Sequence, residues 1–133
     1  MTVNLLNRRG FAIRFTDPKQ SIADATKALA MAKVQKYKSG IEEAHRIIGI
    51  GYYYLNQPAR AMTEFKEALK CAIQNNDLKA QAKVYNNIGN LYLGDDYDKA
   101  LSFYEKELSI FLMLKDSVKS RDTRLAIMYI DTP

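Results

Sequence analysis

The run Tyr85-Asn86-Asn87-Ile88-Gly89-Asn90-Leu91-Tyr92, with Ala100, Tyr104 and Glu107 downstream, has an earlier counterpart in the same chain. The counterpart is His45-Arg46-Ile47-Ile48-Gly49-Ile50-Gly51-Tyr52, followed by Ala61, Phe65 and Ala68. The two aligned glycines, Gly49 and Gly89, lie 40 residues apart, and the aligned alanines, Ala61 and Ala100, lie 39 apart. A repeat at this period indicates stacked supersecondary units, each too thin to bury its apolar faces alone.

Two weaker copies extend this repeat toward both ends of the chain. Gly10 lies 39 residues before Gly49, and the residues 40 before Ala61, Phe65 and Ala68 are Ser21, Ala25 and Ala28. Near the C-terminus, Leu125-Ala126 and Tyr129 stand in the places of Ile88-Gly89 and Tyr92, and that copy stops after one helix. We therefore predict a single domain over residues 1–133, with units near 1–38, 39–77 and 78–117 and a terminal helix at 118–131.

Residues typical of helix starts divide each full unit into two helices. Pro18 and Pro58 suit the first turn of a helix, where a missing N–H has no cost, and Asp95-Asp96 suits an N-cap. Polar breaks between units are predicted at Lys38-Ser39-Gly40, Asn75-Asn76-Asp77 and Lys115-Asp116-Ser117. The resulting prediction is an all-α fold with helices near 3–15, 18–36, 41–55, 58–74, 78–93, 96–114 and 119–130.

Gly49 and Gly89 fall inside predicted helices, where a glycine costs about 1 kcal/mol relative to alanine. A packing reason is therefore needed. If the two helices of a unit are antiparallel, a glycine that faces Ala61 or Ala100 lets the two backbones approach closely. The sequence thus predicts that both glycines point at the second helix of their own unit.

The repeat follows one order of residues: a large residue, a pair similar to Leu-Gly, a tyrosine, an alanine, a phenylalanine or tyrosine, and a second alanine. This order resembles the tetratricopeptide repeat. The resemblance covers nearly the whole chain and is closest from Asn86 through Leu101. The departures are a period nearer 40 than 34, Glu107 in a small-residue place, and a turn after Tyr92 that is one residue short. Long units of this kind are similar to those of kinesin light chains, bacterial peptide-sensing regulators and the N-terminal arrays of bacterial sensor kinases and cyclases. The resemblance implies an α-solenoid of antiparallel helix pairs that acts as a non-catalytic scaffold for a protein or peptide, often in signalling.

In that family the first helix of each unit lines a concave groove. Helical spacing then assigns the groove-lining residues as Arg46, Ile50, Tyr53, Lys83, Asn86, Asn87, Asn90 and Arg124. The three asparagines are poor helix formers, and their amides could pair with the backbone of an extended peptide. A solvated helix face explains them equally well at this point. The three cations would make the groove mildly positive, which suits an acidic or carboxylate ligand.

The composition argues against catalysis and against bound metal. The chain of 133 residues has one cysteine, Cys71, and one histidine, His45, so a cysteine-built zinc site or an imidazole pair is not available. No glycine-rich phosphate loop or nucleophile elbow occurs, and we expect no cofactor. We interpret His45 as a packed core residue and Cys71 as a buried thiol. No apolar run is long enough for a membrane span, so the default expectation is a cytoplasmic protein without membrane contact.

Two other binding modes stay open on sequence grounds. The terminal helix carries an apolar face of Leu125, Ile127, Met128 and Ile130 that either folds back or forms a homodimer. Residues 1–38 hold eight basic and two acidic residues, a charge of +6, whereas the remainder sums to −1. A basic end could attract an acidic partner or nucleic acid. No aromatic residues alternate with these bases, which favours a solvated face and argues against nucleic acid.

Overall fold

A computed structural model describes residues 1–114 and 117–131, with the backbone alone at 117–120 and 131. All regular secondary structure in this part of the chain is helical. The helices are α1 (Val3–Ala12), α2 (Pro18–Gln35), α3 (Lys38–Tyr54), α4 (Pro58–Gln74), α5 (Leu78–Tyr92), α6 (Tyr97–Met113) and α7 (Ser117–Asp131). Each corresponds to one predicted helix, so the all-α prediction is confirmed. The predicted break at Lys115-Asp116 lies outside the described residues.

Local side chains determine where most of the helices begin. Asp17 accepts a hydrogen bond from the backbone N–H of Gln20 at 3.1 Å, and the proline after it occupies the first turn of α2. Asp77 caps α5 and Asp96 caps α6 in the same way, at 3.0 and 3.1 Å. A carboxylate here satisfies a free N–H and also lies at the positive end of the helix dipole.

The break predicted at Lys38-Ser39-Gly40 is wrong, because these residues form the first turn of α3. The chain turns earlier, at Lys36, whose φ of 55° is left-handed, and the N–H of Tyr37 closes α2 by donating to the carbonyl of Ala32. A helix commonly ends in this conformation, though usually with glycine. Gly40 is used for packing instead, since a Cβ there would lie 2.7 Å from the Tyr37 ring.

The structure divides into two compact bodies, residues 1–76 and residues 77–133, which we call the N-terminal and C-terminal bodies. In the N-terminal body α3 is the central helix and packs against α1, α2 and α4. In the C-terminal body α6 packs against both α5 and α7. Helices α1 and α2 are antiparallel, since Val3 and Leu6 near the start of α1 pack against Ala28 and Ala32 near the end of α2.

The glycines point at the second helix of their pair, as predicted. A Cβ on Gly49 would lie 2.6 Å from the Phe65 ring and 3.2 Å from the carbonyl oxygen of Ala61. In the C-terminal body, a Cβ on Gly89 would lie 2.8 Å from the ring of Tyr104, so the nearest neighbour is this ring and not Ala100. At both glycines an aromatic ring of the second helix therefore occupies the space that a Cβ would need.

The weaker first copy of the repeat uses the same contact. A Cβ on Gly10 would lie 3.1 Å from the carbonyl oxygen of Ser21, the residue in the place of Ala61. The Ser21 hydroxyl also donates to the carbonyl oxygen of Gly10 at 2.6 Å, which joins α1 to α2. The repeat read from the sequence thus corresponds to one recurring helix–helix contact.

An ion pair between a half-exposed arginine and a buried aspartate also joins α1 to α2. Arg9 donates two hydrogen bonds to the carboxylate of Asp24, Nε to Oδ2 at 2.7 Å and Nη2 to Oδ1 at 2.6 Å, and Gln20 adds a third at 2.9 Å. The guanidinium hydrogen bond holds the pKa of Asp24 below its usual range, although burial acts in the opposite direction. One of the eight bases near the N-terminus is therefore committed to an internal pair.

We expect the substitution Asp24→Asn to destabilise the protein at neutral pH and to have little effect in acid. Because the folded pKa of Asp24 lies below the unfolded value of about 3.9, its stabilising contribution is complete above that pH. The contribution is lost as the pH falls through the folded pKa, where the wild-type carboxyl becomes neutral like the amide. Urea unfolding of both proteins at several pH values measures this difference. An equal difference in acid and at neutral pH would contradict the assignment.

Candidate functional site: the amide face of α5

Helix α5 carries three asparagines within five residues, and all three are half-buried. The buried residues of the helix are small or branched and apolar, namely Ala80, Ala82, Val84, Ile88 and Gly89. Asparagine competes with the helix for backbone hydrogen bonds, so such a cluster in a helix interior needs another explanation. We call Lys83, Asn86, Asn87 and Asn90 the amide face.

Two of the three amides take part in an internal hydrogen-bond chain. Asn86 Nδ2 donates to Glu107 Oε2 at 3.0 Å, and Asn90 Nδ2 donates to Asn86 Oδ1 at 3.3 Å. The hydroxyl of Tyr104 donates to Asn90 Oδ1. These contacts tie α5 to α6. Asn86 and Asn90 therefore already have structural partners before any ligand is considered.

Glu107 is the acceptor at the end of this chain and is only 8% exposed. It also accepts a hydrogen bond from the buried hydroxyl of Thr123 at 3.2 Å, which links α6 to α7. The sequence marked Glu107 as a departure from a small-residue place but did not pair it with Asn86. Two polar residues on adjacent helices, 21 positions apart, were the signal available for that pairing.

Asn87 differs from its two neighbours. Its side chain is half-buried and makes no hydrogen bond to any residue that the structure describes. Lys83, one helical turn earlier, is exposed to solvent. Residues four apart lie side by side on a helix surface, so a cation and an unused amide are adjacent here. Among the predicted residues of α5, this pair is the part that is chemically available to a ligand.

The residues predicted on α3 are placed differently. Arg46 and Ile50 are 8% and 7% exposed, because α3 is surrounded by other helices. Arg46 Nε donates to Glu42 Oε1 at 3.1 Å within the same helix, so its charge is balanced inside the protein. Tyr53 is exposed and packs edge-to-face on Tyr54, with ring centroids 5.1 Å apart. These three residues lie in the N-terminal body, and the other five predicted residues lie in the C-terminal body.

The terminal helix α7 has one packed side and one open side. Thr123 is buried and Arg124 beside it is exposed. Of the apolar residues predicted on its open face, Leu125 and Met128 are well exposed, whereas Ile127 and Ile130 are partly covered. Tyr129 adds to the exposed side. Self-association through this face stays a prediction.

The single histidine and the single cysteine, His45 and Cys71, lie in surroundings that suit structural roles. Nδ1 of His45 lies 2.8 Å from Glu64 Oε2, a contact that joins α3 to α4. Burial raises the pKa of the Cys71 thiol, which disfavours the reactive thiolate. Within residues 1–114 and 117–131, no three side chains among His, Cys, Asp and Glu form a cluster that could hold a metal ion. None of the described helices is long and apolar enough to cross a membrane.

Comparison with solved structures finds a clear similarity of fold. The crystal structure of the apo form of RapI matches with a TM-score of 0.80 and 20% sequence identity. The match covers 98% of this chain and 37% of RapI, so the chain spans little more than a third of the length of that protein. No protein-family model matches the sequence, and a search of curated proteins gives no match. At this identity the similarity concerns the fold, and the prediction of an all-α fold of the α-solenoid class is confirmed.

Proposed function

We propose that this chain is a non-catalytic scaffold of the tetratricopeptide-like kind that binds an extended peptide segment of a partner protein through the amide face of α5. The observation that carries the proposal is the unused amide of Asn87 beside the exposed Lys83. The helical-repeat fold shared with RapI is compatible with a binding scaffold. A role as one arm of a signalling protein in the cytoplasm belongs to the same proposal.

The chemistry of the amide face suits a peptide backbone. An extended peptide presents N–H and C=O groups that no intramolecular ladder satisfies, and a carboxamide offers donors and an acceptor to both. A half-buried amide loses part of its hydration, so a ligand that pairs with it gains more than it would at a fully exposed position. Lys83 adds a positive charge, which favours an acidic segment or a terminal carboxylate.

The expected result of the substitution Asn87→Ala is a loss of peptide affinity without loss of the fold. Peptides are first selected from a displayed library of unstructured sequences on the wild-type chain. We expect Asn87→Ala to weaken the selected peptides about tenfold, which corresponds to roughly 1.4 kcal/mol and to one good hydrogen bond. Alanine is the better helix former, so the variant should fold at least as well as the wild type. Isothermal titration calorimetry measures the affinities.

The matched control is Ser102→Ala, which removes an exposed polar group from α6, away from the amide face. The selected peptides should bind this variant as they bind the wild type. The substitution Lys83→Met should weaken binding most at low ionic strength, because salt screens an exposed charge. Peptides that bind Asn87→Ala and the wild type equally tightly would show that the amide face is not the site.

A further inference from the structure

The hydrogen bonds of the amide face all run in one direction. The hydroxyl of Tyr104 donates to Asn90, the amide of Asn90 donates to Asn86, and the amide of Asn86 donates to Glu107. The hydroxyl of Thr123 donates to Glu107 from the other side. Both carboxyl oxygens of Glu107 act as acceptors, Oε2 from Asn86 and Oε1 from Thr123, so the amide of Asn86 presents its N–H group to Glu107. That choice leaves the Asn86 oxygen to accept from Asn90, whose own oxygen then accepts from Tyr104.

We propose that Glu107 is a positioning residue that sets which way the amides of Asn86 and Asn90 point. Without an acceptor-only group at the end of the chain, either amide could turn over and exchange its oxygen and nitrogen. With the carboxylate in place, each amide uses one N–H and one lone pair internally. The inference rests on the proposed function for its purpose, because the oriented amides are the ones a peptide would meet beside Asn87.

The repeat itself argues that Glu107 is not required for packing. The equivalent places in the other two helix pairs are Ala28 and Ala68, and both alanines are fully buried. A methyl group therefore fills this place in the fold. Burying a carboxylate instead requires hydrogen bonds to offset its lost hydration, and the two neighbouring helices α5 and α7 each donate one to it. Because burying Glu107 costs hydration that alanine would not lose, its presence here indicates a role that alanine cannot perform.

The orientation of the Asn86 and Asn90 amides also determines which hydrogen-bonding groups the site presents to a ligand. In the described structure the second N–H of Asn86 and of Asn90 has no acceptor in the protein. A buried N–H group without a partner is tolerated less well than a carbonyl oxygen with one free lone pair. The partner that both amides still require is therefore a hydrogen-bond acceptor. The oriented amides would therefore pair with carbonyl oxygens of an extended peptide, while Asn87 can serve as donor or acceptor.

The test is hydrogen exchange of the asparagine side-chain amides, followed by NMR on the whole chain without any ligand. In the wild type, the side-chain amides of Asn86 and Asn90 should exchange about fivefold more slowly than that of Asn87, the factor that one ordinary hydrogen bond provides. Asn87 serves as an internal reference because it lies on the same helix and makes no such bond. Equal exchange of the three amides in the wild type would overturn the inference.

Two substitutions of Glu107 then distinguish an effect on amide orientation from an effect on the stability of the whole protein. Glu107→Ala removes the acceptor with a residue that the repeat accommodates elsewhere, and Glu107→Gln keeps the shape but can donate as well as accept. Both should accelerate exchange at Asn86 and also at Asn90, which does not touch Glu107 in the hydrogen-bond chain, while backbone amides of α5 keep their protection. Glu105→Gln, an exposed neighbour on α6, should change nothing.

The inference is overturned if Asn90 keeps its wild-type exchange in both Glu107 variants. It is equally overturned if the backbone amides of α5 lose protection together with the side chains, since Glu107 would then act only through stability. Neither outcome involves a peptide, so the affinity test of Asn87→Ala would stand or fall independently.

Discussion

Replacing Phe65 with alanine is expected to lower the free energy of unfolding by about 3–5 kcal/mol, the range found for buried aromatic residues. Phe65 is 1% exposed, and its ring on α4 lies against Gly49 of α3. The wall opposite the ring is helix backbone, which cannot move in to refill the space. The variant should therefore keep a cavity between the two helices, with the full loss of contacts. Urea unfolding followed by circular dichroism measures the change.

The control for this prediction is Phe15→Ala. Phe15 is 73% exposed and packs edge-on against Tyr54 at 5.3 Å between ring centroids. We expect a change within about 0.5 kcal/mol, as is usual for surface substitutions. If Phe65→Ala and Phe15→Ala have similar effects, the contact between α3 and α4 is not the one described.

The second large effect is expected for Gly49→Ala, which normally would stabilise a helix. The intrinsic preference favours alanine by about 1 kcal/mol inside a helix. The added Cβ would lie 2.6 Å from the Phe65 ring and 3.2 Å from the carbonyl oxygen of Ala61, so a buried ring or a backbone must shift. Overpacking of this kind costs about 1–3 kcal/mol, and occasionally more, and we expect a net loss of stability.

Gly94→Ala provides the matched control for Gly49→Ala. A Cβ on Gly94 would meet nothing within 4 Å, and its φ is not positive. Alanine there should be neutral or stabilising by up to about 1 kcal/mol, because it restricts the unfolded chain. A destabilisation of similar size at both glycines would mean that close packing is not what keeps Gly49 in place.

The helices and their pairing could be predicted from the sequence because their signals are local. Pro18 and Asp96 begin helices through contacts within one turn, and the spacing from Gly49 to Gly89 records a contact that recurs in each helix pair. The turn at Lys36 could not be predicted, since a lysine in the left-handed region carries no compositional signal. Gly40, which does carry one, is used for packing against Tyr37 instead.

The candidate site was predictable only in part. Helical spacing grouped Asn86, Asn87 and Asn90 but could not tell which amides have partners. The partners Glu107 and Tyr104 both lie on another helix, α6. Spacing also placed Arg46 in a groove, whereas α3 has helices on several sides and its arginine is paired with Glu42. Periodicity shows which residues share a helix face, and only the tertiary structure shows what covers that face.

The nesting of a ring against a helix glycine is tested most directly by combining the two substitutions in a double-mutant cycle. Unfolding free energies are measured for the wild type, Gly49→Ala, Phe65→Ala and the double variant. The structure predicts that Gly49→Ala destabilises the wild type more than the Phe65→Ala background, because the ring 2.6 Å from the new methyl group is then absent while the Ala61 carbonyl oxygen at 3.2 Å remains. An equal destabilisation in both backgrounds would show that the Phe65 ring does not limit the space at Gly49, which would contradict the contact described between α3 and α4.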